Sequence, residues 1–145
     1  MLHLKTPGTL AALAPALTTL RLSLHVLAAA VFVGGQVTLV GLLPTLRSLG
    51  GSATKQAARA FGRLQWPAYG ILVATGIWNA IALHPGQQSG AWNAVFIAKI
   101  VVAAAAGISA LLHARARSRA GLAAFGGIAG ITSLAALILG VILAG

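Results

Sequence analysis

Chemistry in this chain has to come from very few side chains. His25 and Lys99 are ionisable residues set deep inside apolar stretches. Such residues are functional candidates by default, because a charge is costly in hydrocarbon. Imidazole suits iron and copper, and a haem fits between the helices of a bundle. His25 is therefore a candidate haem or metal ligand; the alternative is an imidazole hydrogen-bonded to a neighbouring helix. Lys99 faces a different problem, because the chain contains no Asp or Glu to pair with it. It can give up its proton, or carry its ammonium to the surface along its stem. It can also meet the C-terminal carboxylate or a partner protein's carboxylate, or hold an anionic ligand such as a haem propionate. Arg21 is a second propionate partner. Arg21, His25, Phe32 and Gln36 recur at intervals of four, seven and four, and Trp92, Lys99, Ala106 and His113 recur every seven. Each set forms one helical stripe, which lipid cannot satisfy, so both stripes should face a bundle interior. The candidate site is thus His25, Lys99, Arg21 and Gln36, with His25 as the metal ligand. His84 lies at a loop boundary, and His113 lies at the opposite membrane face from His25, so His113 cannot share an iron with it.

Composition removes most other chemistry. Of 145 residues, 59% are hydrophobic, 7% are charged and 18 residues are Gly; an ordinary soluble domain carries about 25% charged residues. A soluble fold cannot cover itself with so little polar surface. With no carboxylate, a Ser-His-Asp triad, an acid–base dyad and a Ca or Mg cage are all excluded. With no Cys and one Met, disulfides, thiolate metal sites and a Cu(I) thioether path are excluded as well. The formal charge of +10 reads as membrane topology and lipid headgroup contact, not nucleic-acid binding.

The elements that must position these residues are four apolar stretches, at about 20–43, 64–83, 91–112 and 122–144, each near the ~20 residues that span a bilayer. Pro44, His84-Pro85-Gly86 and the basic run His113 to Arg119 end the first three. Short links at Ser48–Ser52, Pro85–Gly90 and Ser118–Gly121 force antiparallel neighbours. The expected fold is all-α, an integral membrane up-down four-helix bundle in a single domain, 19–145. Arg47, Lys55, Arg59 and Arg63 flank the first link, and Arg115, Arg117 and Arg119 flank the third; Lys5 and Arg21 stand on the other side. The positive-inside rule then places the first and third links in the cytoplasm and both termini outside. Residues 1–18 form an outer-face arm or a disordered tail, since Pro7 and Pro15 interrupt any signal-like run. On this orientation His25 and Lys99 sit at similar depth in the outer leaflet. Trp78 and Trp92 near one interface, with Trp66 and Tyr69 near the other, read as an aromatic belt. Gly34-Gly35, Gly70, Gly76, Gly107 and Gly126-x-x-x-Gly130 allow close helix approach, and Thr132 and Ser133 can bond back to their own helix.

The run Leu24-His25-Val26-Leu27-Ala28-Ala29-Ala30-Val31-Phe32-Val33-Gly34-Gly35 resembles the first-helix motif of the copper-resistance protein D family. Phe61-Gly62-Arg63-Leu64, continuing through Thr75-Gly76-Ile77-Trp78-Asn79-Ala80, resembles that family's next helix, and Lys99 resembles the Lys that opens the following one. The family is similar in turn to the four-helix membrane protoporphyrinogen oxidases, which bind b-type haem and use a first-helix His and a third-helix Lys. His25 and Lys99 match those two positions. Phe32 stands where the family has Trp, and Val37 stands where the oxidases carry Arg. What the resemblance implies is therefore haem binding rather than porphyrinogen oxidation, with copper less favoured in a chain this poor in Met and Cys.

The expected function is that of a small multi-pass protein of the bacterial plasma membrane that binds haem b or a metal through His25, for electron transfer or cofactor handling. The alternative is a non-catalytic accessory subunit whose cations meet partner carboxylates or lipid headgroups. The chain reads as a non-enzyme on its own; any catalysis would be that of a haem-linked membrane oxidoreductase. Its expected partners are anionic headgroups at the cytoplasmic face and other membrane subunits or further copies of itself.

Overall fold

A computed structural model describes the backbone of residues 7–145 and the side chains of residues 14–145. The order is α1 (Pro7–Ala29), a π-helical turn (Ala30–Gly34), α2 (Gly35–Ser48), α3 (Gly51–Leu83), a 3-10 turn (Pro85–Gln87), α4 (Gly90–Arg115) and α5 (Arg119–Ala144). The π turn joins α1 to α2 without a break, so the described residues make 4 helices long and apolar enough to cross a membrane: Ala14–Ser48, Gly51–Gln87, Gly90–Arg115 and Arg119–Ala144. The all-α fold and the four apolar helices agree with the expected membrane bundle.

Several boundaries differ from the expected ones. Pro44 lies inside α2, which continues to Ser48. Proline removes one helical hydrogen bond, and membrane helices tolerate this because neighbouring groups satisfy what it frees. The second helix begins at Gly51, well before Leu64, and runs for 33 residues. At 1.5 Å per residue it is about 50 Å long, against about 30 Å of hydrocarbon. Its first turns therefore stand clear of the apolar layer, and Lys55, Arg59 and Arg63, spaced by four, form one exposed stripe there. The third link is Ala116–Ser118, because α5 already begins at Arg119. Of the expected arm 1–18, residues 1–6 with Lys5 lie outside the described residues, and the backbone from Pro7 is helical through Pro15 into the first span.

Short polar residues set the helix ends. Ser89 accepts from the Trp92 N–H at 3.2 Å and Ser118 from the Gly121 N–H at 3.0 Å, each satisfying a donor that an N-terminal turn leaves free. Gly50 turns the chain between α2 and α3 with φ 103, a conformation that suits glycine. His84 ends α3 in the left-handed region at φ 46. Its carbonyl accepts from the Gln87 N–H at 2.8 Å and its Nδ1–H donates to the Ala82 carbonyl at 3.1 Å. Its ring is therefore part of the turn.

Small residues fill the interior. Phe32, Val33, Ala68 and Ala106 form the buried centre, with Val31, Tyr69 and Leu72 packed on it. Ala28, Ala110 and Ala129 are buried as well, while large aliphatic side chains such as Val26, Leu27, Ile81 and Ile131 point outward. This is the reverse of a soluble core and suits helices that pack through small residues in lipid. Two glycines are required for the close approach. A Cβ on Gly35 would run into the Phe61 ring, and one on Gly107 into the Tyr69 phenol. Tyr69 is thus not a belt residue: its hydroxyl donates to the Ala103 carbonyl at 3.0 Å, joining α3 to α4 across the interior. Its ring lies 5.1 Å from that of Phe32.

Candidate functional site

One hydrogen bond joins each neighbouring pair of spanning helices at a polar position. His25 meets Thr75 between the first and second, Tyr69 meets Ala103 between the second and third, and Gln36 meets Ser133 between the first and fourth. Between the third and fourth, the His113 Nδ1–H donates to the Leu122 carbonyl at 2.8 Å. These contacts order the helices as a closed ring of four. One end of the ring carries the 49–50 and 116–118 links. The other carries the 84–89 connection and the C-terminus, and is called here the distal end.

His25 is the best-defined member of the site. Its Nδ1 lies 2.7 Å from the Thr75 hydroxyl oxygen, and that hydroxyl lies 2.6 Å from the Ile71 carbonyl. A carbonyl only accepts, so the single hydroxyl proton belongs to the Thr75–Ile71 bond. The Thr75 oxygen then accepts from His25 Nδ1–H, so that in the neutral ring the lone pair lies on Nε2. Among the described residues Nε2 has no partner. Gly76, one residue on from Thr75, leaves room beside the ring: a Cβ there would come to 3.9 Å from His25 Cε1.

Lys99 lies at a similar level in the opposite hairpin. Its ammonium rests in the crease between α4 and α5, where a Cβ on Gly140 would lie 3.2 Å from Nζ. It is half-buried and has no acceptor among the described residues. His25 and Lys99 therefore occupy the same half of the bundle but turn to different neighbours, Thr75 and Gly140. Arg21, one turn before His25, is 7% exposed, and its Nε is buried without a hydrogen-bond partner among the described residues. Gln36 is not part of this cluster. The π turn lies between it and His25, and its Nε2–H donates to Ser133 at 3.3 Å near the middle of the bundle. The Ser133 hydroxyl in turn donates back to the Ala129 carbonyl at 2.6 Å, as its position in an apolar helix leads one to expect.

Two members of the site were not evident in the sequence. Thr75 resembles any back-bonding helical threonine until its neighbour on the first helix is known. Asn79, one turn beyond Thr75, has a buried Oδ1 with no partner among the described residues. The antiparallel register set by His25 and Thr75 brings Asn79 to the level of Arg21. The signal was a four-residue interval, Thr75 to Asn79, matching that of Arg21 and His25 on the first helix. The distal half of the interior thus holds Arg21, His25, Thr75, Asn79 and Lys99.

Among the described residues no three His, Cys, Asp or Glu side chains come together as a metal-ion cage. A bare ion would have His25 alone. A haem supplies four of its own nitrogens and asks the protein for one or two ligands, so the single free imidazole nitrogen suits it better.

No family model matches the chain, and no curated protein and no solved structure matches it.

Proposed function

We propose that this is a small multi-pass membrane protein of copper-resistance protein D-like type that binds a b-type haem through His25. The observation that carries the reading is the fixed tautomer of His25: Thr75 holds Nδ1–H, and the Nε2 lone pair is left without a partner. Haem ligands characteristically have their second nitrogen held in this way, which fixes the ring and raises its basicity. Arg21 and Lys99 supply cations in the same half of the interior for two propionates. Bound haem would supply one-electron chemistry, and this chain's residues would hold it, orient it and exclude water from it. The basic asymmetry of the links favours placing the distal end outside the cytoplasm and the basic stripe of α3 against anionic headgroups. The visible spectrum of the purified protein tests the function. A Soret band present in wild type and absent in His25→Ala supports it, and its absence after haem supplementation overturns it.

The buried, unpartnered Arg21 Nε favours a second reading. In an accessory subunit of a larger membrane complex, a partner's carboxylate would complete that site. Subunits that co-purify and contribute an acidic residue at the distal end would favour it.

A further inference from the structure

The chain buries a guanidinium and has no Asp or Glu with which to neutralise it. Among the described residues Arg21 Nε and Asn79 Oδ1 are each buried without a partner, and the register of the first two helices puts them at one level. Asn79 lies four residues before the end of α3 at Leu83, which is about 6 Å along the helix. That is the depth of a headgroup and its first methylenes. Lys99 lies deeper in the same half of the bundle, in the crease between α4 and α5. Native structures pair nearly all buried polar groups, so two orphans at one level mark a place where a ligand's polar group completes the site.

We infer that Arg21 and Asn79 form a carboxylate site at the distal end of the bundle, with Lys99 as a more distant cation beneath it. The guanidinium offers planar paired donors, the geometry that a carboxylate matches. The Asn79 amide orients Arg21 through Nε–H or, with its nitrogen turned inward, donates to the anion itself. The occupant is the carboxylate of an amphiphile, because the site lies at headgroup depth and the exposed side chains beside it include Leu20, Leu22, Trp78 and Ile81. Two sources share this chemistry: a fatty acid of the outer layer and a haem propionate. The second rests on the haem reading and the first does not.

Purified protein in a neutral maltoside detergent, without haem, is followed by tryptophan fluorescence as it unfolds on heating. Decanoate is expected to raise the midpoint in a saturable way, and decanol, the same chain without the charge, is not. Arg21→Gln is expected to weaken the decanoate effect about tenfold to a hundredfold, the size of one lost charge-assisted bond pair. Asn79→Leu is expected to weaken it about tenfold, and Arg63→Gln, at the other end, to leave it intact. Where Arg21→Gln does not fold, Arg21→Lys keeps the charge and loses the planar donors, and it is expected to lower decanoate affinity while retaining some response. Equal shifts with decanoate and decanol, or an undiminished decanoate effect in the Arg21 variants, overturn the site. Titration with haem and with its dimethyl ester identifies the source. Weaker binding of the ester that disappears in Arg21→Gln assigns the propionate. Equal binding of both with the decanoate effect intact assigns the fatty acid. A decanoate effect in a protein that takes up neither haem supports the site and sinks the haem reading alone.

Discussion

Replacing Thr75 with Val tests the proposed ligand through a residue that never touches the iron. Thr75 is 4% exposed, and its oxygen is the acceptor for His25 Nδ1–H at 2.7 Å. Valine keeps the branched shape and removes the acceptor. Two consequences follow, and they have different sizes. Without ligand, a half-buried N–H loses its partner, at about 1 kcal/mol, since inter-helix hydrogen bonds in membranes average about 0.6 and reach about 1.7. With haem, the imidazole loses the contact that fixes its tautomer, and losses of this kind cost about 10–100-fold in affinity. Haem titration followed at the Soret band reads the second effect. Thr75→Ser, which restores the acceptor, should bring affinity most of the way back, and a double variant with His25→Ala should show no further loss. Thr75→Val that binds haem as tightly as wild type would refute the reasoning, because His25 would then owe nothing to the bond that defines its tautomer.

Further outcomes follow from the same geometry. His25→Ala should abolish haem absorbance while the protein remains in the membrane; Lys99→Met should weaken binding less, and His113→Ala not at all, since His113 caps the Leu122 carbonyl at the other end of the bundle. Absorbance titrations of the three variants rank them directly. Gly35→Val should destabilise the bundle by about 1–3 kcal/mol through overpacking, because the Phe61 ring fills the space beside it; a detergent thermal melt measures this. Tyr69→Phe should cost about 1 kcal/mol by removing one inter-helix bond, which the same thermal melt measures. Cysteine placed at Gln87 should label from outside the cell and at Ser52 from the cytoplasm, and labelling with the reverse sidedness would invert the proposed orientation.

The four helices were legible because lipid imposes a crude and strong rule: about 20 apolar residues between turn formers. Their true ends were less so. Composition marks where hydrocarbon begins, while the helix of α3 continues to Gly51 because Lys55, Arg59 and Arg63 are good helix formers that can project into the headgroup layer. Pro44 misled for a related reason, as it stops helices in water but not where membrane packing holds them. The π turn at Ala30–Gly34 had no sequence signal, since a run of small and β-branched residues fits either winding. His25 and Lys99 stand out as ionisable groups in an apolar field. Their partners did not, because Thr75, Asn79 and Gly140 gain meaning only when another helix is placed against them. Gln36 was grouped with His25 by periodicity, and the structure gives it instead to Ser133 on the fourth helix.

The lack of carboxylates ties these observations together. In a chain with ten cations and no Asp or Glu, no side chain can serve any of them as a counterion. The two ends of the bundle meet this condition differently. At the basic end Arg47, Lys55, Arg59, Arg63, Arg115, Arg117 and Arg119 are exposed, where headgroups and salt neutralise them at little cost. At the distal end Arg21 is buried and Lys99 half-buried, where neither salt nor solvent reaches easily. An exposed lysine or arginine at a membrane face needs no further account, since topology requires it. A buried arginine with an orphan nitrogen does need one, because burying an uncompensated charge is among the most destabilising features a fold can carry. The fold bears that cost beside a histidine whose tautomer leaves a lone pair free. An anion that carries its own metal would answer both needs at once, whereas a simple carboxylate would answer only the first. That difference is what the comparison of haem with its dimethyl ester resolves.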